Sequence, residues 1–135
     1  MSKPRVLVVD DDNLMRQMVR DDLAAAGYEV EIAGDGNEAL SVIPTFTPDV
    51  VVLDVIMPGE NGYRVCRAIK EQASEGTGAV PRVVLLTGRR VDDEADREQV
   101  LLGFSHADAM LYKPCEPAHL RDAIAKLLAN TSPVR

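Results

Sequence analysis

Apolar and polar positions alternate between two periods along the 135 residues of this chain. Short apolar runs rich in β-branched residues predict buried strands, and apolar positions three and four residues apart predict amphipathic helices. Two of the runs are almost wholly apolar, which is typical of strands covered on both faces. The predicted strands are Arg5 to Val9, Glu29 to Ala33, Asp49 to Leu53, Arg82 to Leu86 and Asp108 to Tyr112.

Five predicted helices alternate with these strands. Gly27 and Pro44 mark helix ends, because glycine favours a helix C-terminus and proline interrupts a helix. Asp12 precedes the first helix and predicts its N-cap. Met15 and Met18 fall at helical spacing and are interpreted as core residues. The predicted helices are Asn13 to Gly27, Asn37 to Ile43, Tyr63 to Ala73, Asp92 to Phe104 and Pro117 to Ala129.

The order of these elements predicts the fold class. Strands and helices that alternate with short connections indicate an α/β protein, with a five-stranded parallel sheet doubly wound by five helices. The length fits a single domain over residues 1–129. The polar residues 130–135 match no element and are interpreted as a tail or the stub of a linker.

Composition narrows the function classes. Fifteen basic and twenty-two acidic residues give a net charge of −7, which opposes binding to a phosphate backbone or to anionic lipid. No apolar run is as long as a membrane span and no signal-peptide pattern is present, so we expect a cytoplasmic protein. Cys66 and Cys115 have no ligand-like spacing and are expected to be reduced thiols.

Polar residues follow four of the five predicted strands. Ligands of a doubly wound sheet bind outside the carboxyl ends of its strands, so we expect these side chains to converge. Carboxylates suit Mg²⁺, which is usually held by one or two of them together with waters and a phosphate oxygen. The residues are Asp10, Asp11 and Asp12 after the first strand, Asp54 after the third, Thr87 and Gly88 after the fourth, and Lys113 after the fifth.

This set of residues also suits phosphoryl transfer. A carboxylate can attack phosphorus and form an aspartyl phosphate. The reaction needs positive charge and hydrogen-bond donors at the phosphoryl oxygens. Lys113 can supply the charge, and the Thr87 hydroxyl and the Gly88 backbone N–H can supply the donors.

From about Pro4 to Ala129 the chain resembles the receiver domain of two-component response regulators, and four segments, in order, carry the resemblance. The family has a flavodoxin-like fold. The segments are Val6 to Arg16, which resembles the acidic start of the family; Val51 to Gly62, which resembles its phosphoacceptor strand and Met-Pro-x-x-x-Gly turn; Leu85 to Gly88, which resembles its switch threonine and small neighbour; and Tyr112 to Pro114, which resembles its Lys-Pro end to the last strand.

The resemblance implies a phosphorelay function. Asp54 would accept a phosphoryl group from a histidine kinase or a histidine phosphotransfer protein. The chain would not be an enzyme acting on a separate substrate, but it would take part in catalysing its own phosphorylation and dephosphorylation. The Lys113–Pro114 peptide bond would be cis. The implied contacts are Asp10, Asp11, Asp54 and the backbone carbonyl of Ile56 for Mg²⁺ or Mn²⁺, and Thr87, Gly88 and Lys113 for the phosphoryl group.

Phosphorylation is expected to act as a switch. The new negative charge would attract Thr87 and change the surface formed by the predicted helix over 92–104, the last strand and the last helix, which an unknown partner would bind. Met110 stands where the family often has an aromatic residue, and Tyr112 shares its face. We therefore expect either a muted aromatic switch or one that uses Tyr112. The chain is expected to be a monomer or a weak dimer.

Two further positions carry expectations of their own. Ile56 is expected to slow phosphoryl loss, and His106 to strain a turn where glycine is common.

The pattern Asp10-x-Asp12 resembles the nucleophile motif of haloacid-dehalogenase-like phosphatases, but a further acidic pair after the lysine is absent. A flavin or nucleotide site is disfavoured because no glycine-rich phosphate motif is present. A receiver-like interaction module that works without phosphorylation remains an alternative.

Overall fold

The computed structural model describes residues 3–57, 59–76, 80–88 and 103–129. Seven strands lie in these residues: β1 (Arg5–Val9), β2 (Glu29–Ala33), β3 (Val50–Asp54), β4 (Ile56–Met57), β5 (Glu60–Asn61), β6 (Arg82–Thr87) and β7 (Ala109–Tyr112). Five of them form one parallel sheet in the order β2-β1-β3-β6-β7, and β4 and β5 form a small antiparallel hairpin. The predicted doubly wound α/β fold with a five-stranded parallel sheet is confirmed.

Helices pack on both faces of this sheet. They are α1 (Asn13–Ala25), α2 (Gly36–Phe46), α3 (Gly62–Glu75) and a helix called here the last helix (Pro117–Ala129). Residues 103–105 are also helical and coincide with the end of the helix predicted over Asp92 to Phe104. The rest of that predicted helix, and the tail 130–135, lie outside the described residues.

Two apolar layers cover the two faces of the sheet. On one face, Leu7 and Leu53 pack in a cluster with Ile69 of α3. On the other, Val8 and Val52 pack with Ile124 of the last helix and Leu23 of α1. The central strands β1 and β3 are therefore buried on both sides, so the residues at their carboxyl ends are held in place by rigid packing.

The helix start at Asp12 agrees with the sequence. Its Oδ1 accepts a hydrogen bond from the Met15 backbone N–H at 3.1 Å, which confirms the predicted N-cap. α1 ends at Ala25, two residues before Gly27, which has a φ of 102°. His106 has a φ of 61°, so the expected strain in its turn is confirmed.

The prediction that Pro44 ends the second helix was wrong. α2 continues through Pro44 to Phe46. Proline has no N–H to donate to the carbonyl four residues earlier, which is that of Leu40. The side chain of Gln72 in α3 replaces the missing donor, because its Nε2 donates to the Leu40 carbonyl at 3.2 Å.

The interpretation of Met15 and Met18 as core residues was also wrong. They are 37% and 58% exposed. Together with Cys115 and Leu120 they line a groove of about 250 Å³, which also reaches Lys113. The first half of α1 faces the turn before the last helix there, so its apolar face is only partly covered.

Two smaller findings bear on function classes. Cys66 and Cys115 are both free thiols, as expected. Among the described residues, no helix combines the length and the apolar character that crossing a membrane requires.

Candidate functional site

Neighbouring strands bring the predicted residues to one edge of the sheet. Val9 pairs with Leu53 in the register of β1 and β3, so Asp10 and Asp54 end adjacent strands side by side. Thr87 ends β6 and pairs in register with Tyr112 of β7. The edge is therefore built by the parallel topology and not by any one loop.

Three carboxylates meet at this edge. One oxygen each from Asp10, Asp11 and Asp54 lies within 4.8 Å of the others. Asp10 and Asp54 are only 4% and 5% exposed, whereas Asp11 is exposed. Hard oxygen donors at such spacing, with one side open to solvent, fit a divalent cation such as Mg²⁺.

Lys113 supplies a positive charge to the same carboxylates. Its Nζ lies 3.2 Å from Oδ1 of Asp54 and 3.8 Å from Oδ2 of Asp10. The Lys113 backbone N–H also donates to the Thr87 carbonyl at 2.8 Å, which fixes the start of the turn after β7. The peptide bond to Pro114 is cis, as the resemblance implied.

Burial raises the pKa of Asp10, and the neighbouring charge of Asp54 raises it further. The Asp12 backbone N–H, which donates to Oδ1 of Asp10 at 2.9 Å, and the ammonium of Lys113 act in the opposite direction. The ionised form of Asp10 is thus disfavoured on balance. A bound cation would remove that cost.

The two oxygens of Asp54 have different surroundings. Oδ1 faces Lys113 and lies 3.4 Å from the Ile56 backbone N–H. Oδ2 accepts no hydrogen bond from the residues that the structure describes. It is therefore the oxygen available to a ligand or to an incoming electrophile.

The turn after Asp54 is held by close backbone packing. The Gly62 N–H donates to the Val55 carbonyl at 2.9 Å. A Cβ at position 62 would lie 2.7 Å from the Asp54 carbonyl oxygen and would also meet the Cα of Val55, so only glycine fits. The Glu60 carboxylate accepts from the Gly36 N–H at 2.8 Å and ties the hairpin to α2.

The predicted switch residues occupy two environments. Thr87 is 4% exposed, whereas Gly88 is exposed and a Cβ placed there would meet no atom of the described residues within 4 Å. Met110 packs against the apolar layer that contains Leu7, and Tyr112 is half-buried. The structure thus places a small, exposed residue next to a buried hydroxyl at the site edge.

Two features were missed by the sequence reasoning. One is the groove at Met15 and Met18, which adjoins Lys113. The other is Arg16, whose guanidinium Nη1 donates to the Asp10 backbone carbonyl at 2.9 Å. Its sequence position, one turn into α1, does not reveal that it bends back to the site.

Comparison with known proteins shows similarity to response regulators in both sequence and structure. Residues 6–125 match the family model of the response regulator receiver domain. The response regulator MprA of Mycolicibacterium vanbaalenii is 40% identical over 129 residues, which is 96% of this chain and 52% of that protein. The chain thus spans about half the length of the curated relatives it matches.

Solved structures extend the comparison. The chemotaxis protein CheY4 of Vibrio cholerae superposes with a TM-score of 0.81 at 31% identity, over 93% of this chain and 99% of that one. The BeF3-activated receiver domain of DrrB, a Thermotoga maritima protein, gives a TM-score of 0.74 at 34% identity, over 95% of this chain and 99% of that one.

Proposed function

The chain belongs to the response regulator receiver domain family, and we propose that Asp54 accepts a phosphoryl group from a histidine kinase or a histidine phosphotransfer protein in a Mg²⁺-dependent reaction. The observation that carries this proposal is the 3.2 Å contact between Lys113 Nζ and Asp54 Oδ1, inside the cluster with Asp10 and Asp11. The family match also favours Asp54 over Asp10 as the nucleophile.

The transfer step exchanges one bond to phosphorus for another. Oδ2 of Asp54 forms a bond to phosphorus as the phosphorus–nitrogen bond to the donor imidazole breaks. The imidazole nitrogen keeps the electron pair of the broken bond and takes a proton from solvent. Lys113 stabilises the negative charge of the phosphoryl oxygens during the transfer.

Mg²⁺, or Mn²⁺, would be held by Asp10, Asp11, Asp54 and the backbone carbonyl of Ile56. When bound, it supplies positive charge at the phosphoryl oxygens. Gly88 leaves room for the transferred group, and its N–H and the Thr87 hydroxyl donate hydrogen bonds to that group. The protein acts on itself here and is not an enzyme with a separate substrate.

The side chain of Ile56 bears on the lifetime of the phosphoryl group. It is 62% exposed, two residues after Asp54. An apolar side chain at the mouth of the site limits the approach of a water molecule to phosphorus. We therefore expect slow hydrolysis of the aspartyl phosphate.

Phosphorylation would act as a switch through the β6–β7 edge. A phosphoryl group adds a charge of about −1.5 to −2. Thr87 would turn toward that charge, and Tyr112, its neighbour in register, would follow while Met110 stays in the core. The surface of β7 and the last helix would then present a new shape to a target protein.

A protein phosphodonor would cover the groove beside the site. Lys113 lines both the groove and the acidic cluster, so a donor that brings its histidine to Asp54 must pass over the groove. Met15 and Met18 offer it exposed apolar surface, which a small phosphodonor does not need.

A cytoplasmic location and a monomeric or weakly dimeric state stay predictions.

The proposal is tested by the intact mass of the chain after incubation with acetyl phosphate, with and without Mg²⁺. We expect one phosphoryl adduct that depends on Mg²⁺ and is absent from Asp54→Asn. An adduct that persists in Asp54→Asn would point to Asp10 instead. If no adduct forms and beryllofluoride, a stable phosphoryl mimic, fails to bind, the chain is an interaction module that works without phosphate.

A further inference from the structure

The guanidinium of Arg16 lies behind the turn that carries the acidic residues. Its Nη1 donates to the backbone carbonyl of Asp10 at 2.9 Å, and its Nη2 donates to Oδ1 of Asn13 at 2.8 Å. One side chain therefore connects the end of β1 to the start of α1. Asp11 lies inside the segment that these two bonds span.

The neighbouring strand leaves space for this arrangement. A Cβ at Gly34, the residue after β2, would lie 2.9 Å from Nη1 of Arg16. The Asp10 N–H donates to the Ala33 carbonyl at 3.1 Å, so the same stretch of backbone also holds Asp10 from its other side. The absence of a side chain at position 34 lets the guanidinium reach the Asp10 carbonyl without displacement.

Arg16 forms hydrogen bonds but no ion pair with the residues that the structure describes. Among the described residues, no carboxylate lies within ion-pair distance of its guanidinium, and its buried Nε finds no acceptor. Burying an N–H without an acceptor is unfavourable, so the two bonds from Nη1 and Nη2 set the position of this group. Their acceptors both belong to the turn at 10–13.

We propose that Arg16 is a positioning residue for the cation site: its paired bonds hold the turn at 10–13 so that the carboxylates of Asp10 and Asp11 are arranged to receive Mg²⁺. This inference rests on the proposed function. Outer groups that orient metal ligands commonly change metal affinity by about 10–100-fold when they are removed. The paired planar donors are specific to arginine.

Electrostatics alone predicts the opposite change in Mg²⁺ affinity when Arg16 is removed. A positive charge near a cation site weakens cation binding, so its removal should tighten Mg²⁺ binding. Loss of positioning should weaken Mg²⁺ binding instead. The direction of the change therefore separates the two effects.

The test is the Mg²⁺ dissociation constant of the full chain, measured by calorimetric titration. We expect Arg16→Ala to weaken binding about tenfold, and Arg16→Lys to weaken it as well, because an ammonium lacks the paired planar donors. Arg20→Ala is the matched control, since Arg20 lies one turn further along α1 in an exposed pair with Asp21. It removes the same charge and should bind Mg²⁺ as the unaltered chain does.

Thermal unfolding without Mg²⁺ accompanies each titration. Unchanged or tighter binding in Arg16→Ala would overturn the inference, even if its melting temperature falls. Full affinity in Arg16→Lys would also overturn it, and this variant decides the question if the alanine variant does not fold. If the unaltered chain binds no Mg²⁺, the proposed function fails too; if it binds and both variants match it, only the role of Arg16 fails.

Discussion

The ammonium of Lys113 lies 3.2 Å from Oδ1 of Asp54. The lysine that is proposed to stabilise a phosphoryl group thus already rests on the proposed acceptor, and it lies 3.8 Å from Asp10 as well. In this state its positive charge neutralises part of the negative charge of the two carboxylates, which a divalent cation would also neutralise. Lysine and cation are therefore expected to compete for the same negative charge while cooperating in phosphoryl transfer.

Lys113→Met should separate these two effects. Loss of a competing positive charge should tighten Mg²⁺ binding. Loss of the group that stabilises the transferred phosphoryl should slow phosphorylation by acetyl phosphate about 100-fold. Mg²⁺ titration and the rate of adduct formation by mass spectrometry measure the two quantities.

Lys126→Met is the control for this prediction. Lys126 forms an exposed pair with Asp122 on the last helix, so its removal changes the net charge equally and leaves the site intact. Both quantities should stay as in the unaltered chain. Phosphorylation of Lys113→Met at the normal rate would contradict the role assigned to Lys113.

Asp10→Asn should stabilise the metal-free protein at neutral pH. Burial raises the pKa of Asp10, so the folded state holds this proton more tightly than the unfolded chain does. Stability therefore falls as pH rises through the window from the unfolded to the folded pKa, and the cost persists above it. Asparagine removes the charge but keeps an oxygen for the Asp12 N–H. The melting temperature should rise by a few degrees at pH 7.

The pH dependence of the melting temperature tests whether the raised pKa of Asp10 is the cause of this gain. Below that window Asp10 is protonated in both states, so the gain from Asp10→Asn should vanish there. Asp11→Asn is the matched control, because Asp11 is exposed and should give a smaller gain. Scanning calorimetry without Mg²⁺ measures both variants, and a lower melting temperature for Asp10→Asn at pH 7 would refute the argument.

Gly62→Ala should destabilise the turn that follows Asp54. The added Cβ would lie 2.7 Å from the Asp54 carbonyl oxygen, and backbone atoms cannot move aside as a flexible side chain would. Overpacking of this kind costs about 1–3 kcal/mol in the free energy of unfolding. Urea denaturation measures the loss. Gly103→Ala is the control, since no atom in the part of the chain that the structure describes lies within 4 Å of a Cβ there, and it should be neutral or slightly stabilising.

Local patterns were sufficient to predict most of the fold and the acidic site. Four strands of the main sheet are short apolar runs and β2 alternates polar and apolar residues; in a parallel sheet their carboxyl ends meet at one edge. Asp10, Asp54 and Lys113 could therefore be placed together from their positions after these runs. The structure places Lys113 Nζ within 4 Å of both carboxylates, and one oxygen of Asp10 lies within 4.8 Å of one oxygen of Asp54.

The features that were missed depend on contacts that the periodicity of the sequence does not report. The continuation of α2 through Pro44 needs the side chain of Gln72, which is 32 residues away from its acceptor Leu40. The exposure of Met18 depends on which part of the chain faces α1, and helical spacing does not report this. Arg16 bends back to a backbone carbonyl, and no periodicity marks such a bond.

Met18→Glu should distinguish a protein phosphodonor from a small one. Met18 is 58% exposed in the groove that adjoins Lys113. A carboxylate there would have to be desolvated beneath an apolar donor surface, which is unfavourable. Phosphotransfer from a purified phosphohistidine protein should therefore slow far more than phosphorylation by acetyl phosphate. Ala24→Glu, which adds the same charge at an exposed position further along α1, is the control; equal slowing in both reactions would place the donor elsewhere.

Tyr112 should change its environment when the site is occupied by a phosphoryl mimic. It pairs in register with Thr87, and Met110 stands at the position where an aromatic is common, so Tyr112 is the aromatic ring nearest in register to the moving threonine. Fluorotyrosine incorporation gives one ¹⁹F resonance for each of the three tyrosines, and Tyr112→Phe assigns the relevant one. Beryllofluoride with Mg²⁺ should shift this resonance, whereas Tyr28, packed in the apolar layer that contains Val8, should stay unchanged. A Tyr112 resonance that is the same with Mg²⁺ alone and with the mimic would show that Tyr112 takes no part in the switch.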